Sequence, residues 1–262
     1  MQDAYGPAEI AQRIEKVGIA KVKMAFLPMF ALAVLAGAFI ALGAMFYLVT
    51  MTDTGLGFGP SRLLGGLAFS LGLILVLIGG AELFTGNALI VMGWAHGQIG
   101  TAELLRNWGI VYVGNFIGAV GMAAMATWSG FQHLGGDGVQ ATALGVAVGK
   151  VGLPFMESFM RGVLCNVLVC LAVWLCFAAH SVASKILAII FPISAFVALG
   201  LEHSIANMFF IPLALMQGGN ALPGLDIGGF VGNLVPVTLG NIIGGGVFVA
   251  LTYKIVYLRS KD

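Results

Sequence analysis

The chain has 262 residues, 60% of them hydrophobic and only 9% charged, with a net charge of +1 and a mean hydropathy of +1.02. Soluble domains carry about a quarter of their residues as charged side chains, so the composition excludes a water-soluble globule and puts the chain in a bilayer. No basic run suggests a nucleic-acid partner, and none is expected.

Residues 1–26 read as an amphipathic helix on the cytoplasmic side, not as a cleavable signal. The segment opens polar, and the apolar run after it is too long for a signal-peptide core. Ile10, Ile14 and Val17 fall on one helical face with Arg13 and Lys16 on another, the pattern of a helix lying along a membrane surface. A spanning helix needs about 20 mostly apolar residues. By that measure one transmembrane domain, 27–258, contains six spans at roughly 27–50, 62–95, 107–128, 154–179, 184–217 and 229–257, and a tail, 259–262, follows. Long runs rich in Gly and Ala predict an all-α bundle; the strands of a β-barrel would alternate polar and apolar residues. The fourth span holds Cys165, Cys170 and Cys176, an odd number without metal spacing, which reads as packing. His96, His133, His180 and His203 stand in four separate places without the spacing of haem or metal ligation. With no nucleophile–base pairing either, neither an enzyme nor a cofactor is expected.

Six spans put both ends on one side, together with the connections near 96–106 and 180–185. Nine of the twelve Lys and Arg residues fall on that side; the other holds Arg62, Lys150 and Arg161. Positive residues stay inside, so both termini are expected in the cytoplasm of a prokaryotic cell, with the chain in its inner membrane.

The second and fifth spans are too long for one plain crossing, and each is interrupted. GAELFTGNAL (80–89) and GLEHSIANMF (200–209) share G-x-E-x-x-x-x-N, aligning Gly80 with Gly200, Glu82 with Glu202 and Asn87 with Asn207. GNFIG (114–118) in the third span matches GNIIG (240–244) in the sixth. Matches in the same order at corresponding spans predict two repeats, about 27–128 and 154–257, which three crossings apart must be inverted. In such folds the broken helices meet near the midplane and line the substrate path.

GAELFTGNALIV, RGVLCNVLVCLAVW, ALGLEHSIANMFFIPLA and NLVPVTLGNIIGGG closely resemble the formate/nitrite transporter family, over residues 5–258. The resemblance implies an aquaporin-like fold with helices 2 and 5 broken, a homopentamer with one pore per protomer, and passage of small monovalent anions such as formate, nitrite or hydrosulfide, formate favoured. An aquaporin-like channel for neutral solutes is the rival reading, but the paired N-P-A motifs of such channels are absent.

His203 is the leading candidate residue. Ionisable groups at membrane depth are costly, and imidazole titrates near neutral pH. The resemblance makes it the pore histidine, donating a hydrogen bond or a proton to the anion, so that flux is expected to rise as pH falls from about 7 to 5. Thr85, in the facing break, is implied to bond His203 or substrate, and Asn166 to meet the anion beside His203. Lys150 is implied to attract anions to the outer vestibule. Phe69, Leu73, Leu83, Phe84, Val169 and Phe196 are implied gates, where an apolar constriction strips water from the ion. Glu82 and Glu202 are expected to accept bonds from backbone N–H groups freed by the breaks, because a bare carboxylate facing the path would repel the cargo. Asn87, Asn115, Asn207 and Asn241 are expected to fix the same loops.

Overall fold

The computed structural model describes residues 4–258; the tail expected at 259–262 and the first three residues of the N-terminal segment lie outside them. Helix α1 (Pro7–Val22) begins with Pro at the first helical position, where no N–H is needed, and Glu9 Oε2 accepts the Gly6 N–H at 3.0 Å. Its buried face is Ile10, Ile14, Gly18 and Val22, in one cluster with Leu89, Ile90, Met92 and Ile99. Val17, expected on that face, is 36% exposed. Gly18 faces the Ile90 backbone instead, and a Cβ there would lie 3.6 Å from the Ile90 Cα, in ordinary contact.

The long helices follow in chain order: α2 (Phe26–Met51), α3 (Phe58–Gly79), a 3-10 turn (Gly86–Ile90) running into α4 (Val91–Ala95), and α5 (Thr101–Trp128). Next come α6 (Gly138–Val151), α7 (Phe155–Ala178), α8 (Val182–Ala198) and α9 (Ser204–Met216). The last is α10 (Ile227–Ile242), continued by a π-helical stretch (Ile243–Leu251) into α11 (Thr252–Tyr257). Among the described residues the only extended pairing is an isolated bridge, Ala4 to Ala179. The architecture is all-helical. Five helices are long and apolar enough to cross a membrane: α2, α3, α5, α7 and the α10–α11 run. The segment expected as the fifth span is two shorter apolar helices, α8 and α9.

Glycine sets how the helices meet. α2 packs on α5, and α7 on α10; a Cβ on Gly118 would overlap the Val34 carbonyl, and one on Gly240 the Phe159 carbonyl. With the side chain absent, the backbones touch, which gives membrane helices the dispersion contact that hydrophobicity cannot supply between them. α3 and α8 cross at Gly66 and Ser194, where a side chain on Gly66 would strike the Ser194 backbone. The two breaks follow directly on the C-termini of these helices. Helix α6 was not predicted: its 14 residues make a rod of about 21 Å, too short to register as a span.

Candidate functional site

Each break opens with a glycine in the left-handed conformation, Gly80 at φ +79° and Gly200 at φ +69°. That conformation ends a helix cheaply only without a Cβ. The chain then turns back on itself: Gly80 and Ala81 N–H both reach Val76 O, while Gly200 and Leu201 N–H reach Val197 O and Phe196 O. The glutamate backbones are tied to the first long helix of their own half, Glu82 N–H to Leu32 O at 3.1 Å and Glu202 N–H to Arg161 O at 3.4 Å.

The freed N–H groups do not go to the carboxylates, as expected, but to asparagines. Asn115 Oδ1 accepts the Phe84 N–H at 2.9 Å, and its amide donates to Ala33 O and Glu82 O at 2.7 and 2.9 Å. Asn241 does the same at the other break, accepting from Ser204 N–H at 2.9 Å and donating to Gly162 O and Glu202 O at 2.8 and 3.0 Å. An amide side chain can accept and donate at once; a carboxylate cannot, and its charge needs a cation. Glu82 Oε1 therefore meets Lys21 Nζ at 3.0 Å and its Oε2 takes Asn87 Nδ2 at 2.8 Å. Glu202 Oε1 meets Lys150 Nζ at 2.9 Å and its Oε2 takes Asn207 Nδ2 at 2.7 Å. The asparagine pairs close both sets: Asn87 Nδ2 donates to Asn107 Oδ1 at 3.0 Å, and Asn207 Nδ2 to Asn233 Oδ1 at 2.7 Å.

Lys21, Asn107 and Asn233 are site residues that sequence reasoning missed as such. A signal for the asparagines was present, since each stands eight residues before Asn115 or Asn241. Lys21 carried none, because it comes from α1, outside the repeated segments.

Two cavities approach the middle from opposite ends. One, of about 470 Å³, lies against α6 and is lined by Lys150, Glu202, Phe69, Phe196 and Phe210, ending on His203. The other, of about 200 Å³, lies against α1 and is lined by Lys21, Glu82, Asn87, Leu73 and Leu83. Between them sit Thr85 and His203, joined by a 2.9 Å hydrogen bond between Oγ1 and Nε2, both buried. His203 is also the N-cap of α9, and its Nδ1 accepts the Ala206 N–H at 3.1 Å. An Nδ1 that accepts carries no proton, so the neutral ring has its hydrogen on Nε2 and donates it to Thr85. The threonine hydroxyl hydrogen is then left to point at another acceptor.

The other expected site residues divide. Phe69 and Phe196 pack edge to face at 5.6 Å, and the Phe196 ring stacks on His203 at 5.9 Å. Leu73 and Leu83 line the α1-side cavity, and Val169 is buried. Phe84, expected as a gate, lines neither cavity; its ring packs on Tyr112 and Trp108 at 4.8 and 6.0 Å. The ring is buried against α5. Asn166, expected to meet the anion, gives both amide hydrogens to backbone carbonyls, Thr85 O at 3.1 Å and Asn241 O at 2.6 Å. It ties one break to the element that holds the other and has no donor left for an anion. Lys150 lines its cavity, but its ammonium is committed to Glu202.

Residues 8–255 match the family model described as formate/nitrite transporter. Formate channel FocA of Escherichia coli (strain K12) is 40% identical over 277 residues, covering 99% of this chain and 97% of that protein. A solved pentameric formate channel with formate bound is 38% identical and superposes with a TM-score of 0.81, covering 89% of this chain and 98% of its own. A second solved structure, an FNT family ion channel, is 30% identical with a TM-score of 0.87, covering 96% of this chain and 99% of its own.

Proposed function

Since the chain belongs to the formate/nitrite transporter family, we propose that it is a membrane channel for small monovalent anions with formate as its favoured cargo. The observation that carries this reading is the Thr85–His203 pair, buried between two cavities that each hold a lysine. An anion leaving either lysine meets an apolar constriction, where desolvation opposes it by several kcal/mol. The Thr85 hydroxyl, made a donor by the histidine behind it, offers the one hydrogen bond at that point, and a neutral pair does this without trapping the ion by charge. Nitrite and hydrosulfide share the size and charge that this site recognises.

A proton-coupled passage is compatible with the site under one condition. Nε2 already carries hydrogen, so a second proton must land on Nδ1, and the Ala206 cap bond is then lost. Proton uptake would thus loosen the first turn of α9.

The chain makes six crossings in this reading, with α8 and α9 together forming the fifth. The two halves are inverted repeats, and the matched Glu–Lys–Asn and Asn115/Asn241 bonding at the breaks supports it. The excess of Lys and Arg on one side puts both termini in the cytoplasm and the α6-side cavity outside. One homopentamer, embedded in inner-membrane lipid, would carry five such paths; the pentameric relative supports this. The relatives are channels, in keeping with transport and not catalysis.

The test is flux in liposomes. Purified protein should release formate down its gradient and respond to nitrite as competitor. Rapid glycerol or water movement without anion movement would overturn the reading in favour of a neutral-solute channel.

A further inference from the structure

The two breaks match in their glutamates, asparagines and lysines but differ in one respect. A helix leaves its last four carbonyls without intrahelical partners, and they form the negative end of its dipole. α8 presents that end to the larger cavity. There Arg62, from the first turns of α3, donates Nε to Ala198 O at 3.1 Å and Nη2 to Val197 O at 2.8 Å. Arg161, from α7, donates Nη1 to Gly200 O at 3.4 Å and pairs its other nitrogen with Glu157 at 3.1 Å. Among the described residues no carboxylate pairs with Arg62. Gly200 makes room for this: a Cβ there would lie 3.0 Å from Arg62 Nη2 and 4.0 Å from Arg161 Nη1. At the corresponding end of α3 the only cation lining the cavity is Lys21, which is bonded to Glu82 and Asn87, and a Cβ on Gly80 would meet nothing within 4 Å.

We propose that Arg62 and Arg161 are positioning residues that clamp the carbonyl end of α8, and that through it they hold the Phe196 constriction and the backbone leading to His203. Phe196 lies one residue before the first clamped carbonyl, and its ring stacks on His203. Only a guanidinium has two donors at the spacing of adjacent carbonyls, and its charge also cancels the partial negative charge that α8 would turn toward an incoming anion. The clamp makes one constriction stiff and leaves its counterpart near Leu83 without such a brace. Selectivity by size therefore resides at the Arg62 end. This rests on the anion-channel reading, and the two can fail separately.

Arg62→Met, Arg62→Lys and Arg161→Gln would each be compared with wild type in two measurements. The first is amide hydrogen exchange of the purified channel. Exchange over 196–203 should quicken about tenfold in Arg62→Met, less in Arg62→Lys, while 80–85 stays unchanged as the internal control. The second is the acetate-to-formate flux ratio in liposomes, which should rise about tenfold, or about 1.4 kcal/mol, in Arg62→Met. Unchanged exchange over 196–203 overturns the clamp. Faster exchange with an unaltered flux ratio overturns the placing of size selectivity at this end, as does an equal fall for both anions that Arg62→Lys fully restores, because the arginine would then act on flux by charge alone. If wild type passes no formate, the channel reading fails, and exchange still decides the clamp.

Discussion

At the scale of single residues the site depends on one hydrogen bond and its polarity. Ala206 N–H fixes Nδ1 as an acceptor, Nε2–H points at Thr85, and the hydroxyl is turned into a donor. Removing the hydroxyl in Thr85→Val takes away that donor while keeping the shape, and a lost hydrogen bond of about 1 kcal/mol predicts roughly a five- to tenfold lower formate flux. Thr85→Ser, which keeps the hydroxyl, should retain most of it. His203→Phe also removes the α9 cap and should abolish flux together with any response of that flux to pH between about 7 and 5. Liposome flux measured across that range checks all three variants. A His203→Phe channel with wild-type flux and wild-type pH response would leave the histidine a packing residue only.

At the scale of elements, the two breaks are held by equivalent bonds, so they should fail equivalently. Asn115→Ala orphans the Phe84 N–H and the carbonyls of Ala33 and Glu82; Asn241→Ala orphans the Ser204 N–H and those of Gly162 and Glu202. With no water at membrane depth to replace these partners, each variant should lose about 2 kcal/mol or more of stability. Thermal unfolding in detergent would register it as two similar downward shifts in Tm. A silent Asn241→Ala beside a damaging Asn115→Ala would mean that α8 and α9 are held mainly by other contacts, of which the arginine clamp is the obvious one. The lysine–glutamate pairs behave differently: breaking a buried pair strands a charge, so Glu82→Gln would leave Lys21 uncompensated on α1 and loosen that helix first.

For the whole molecule, the outer surface settles what surrounds it. Phe58, Trp128, Phe191, Leu199 and Ile227 are all more than two-thirds exposed, which water would not tolerate and which lipid or sister subunits would cover. Native mass spectrometry in mild detergent should find a species near five times 27.2 kDa. A monomer that carried full activity would remove assembly from the account. The two cavities also differ in charge: Arg62, Lys150 and Arg161 face Glu202 on the α6 side, against Lys21 and Glu82 on the α1 side. The larger cavity is the more positive one, suited to gather anions.

The breaks, the glutamates, the loop asparagines and His203 were legible in the sequence because they are local violations: charged or amide side chains and glycines inside apolar runs, with Gly80, Glu82 and Asn87 recurring 120 residues on as Gly200, Glu202 and Asn207. A bilayer admits such groups only where protein satisfies them, so their mere presence marks a site. What they bond to was not legible. Lys21 reaches Glu82 from α1, Lys150 reaches Glu202 from α6, and Arg62 reaches Ala198 across more than 130 residues, and no periodicity encodes such pairings. The same holds for Asn166 and Phe84, which the family resemblance implied to be an anion donor and a gate. Tertiary structure set what each of them touches, since a donor has only as many hydrogens as the fold leaves it, and an aromatic ring packs where the backbone turns it.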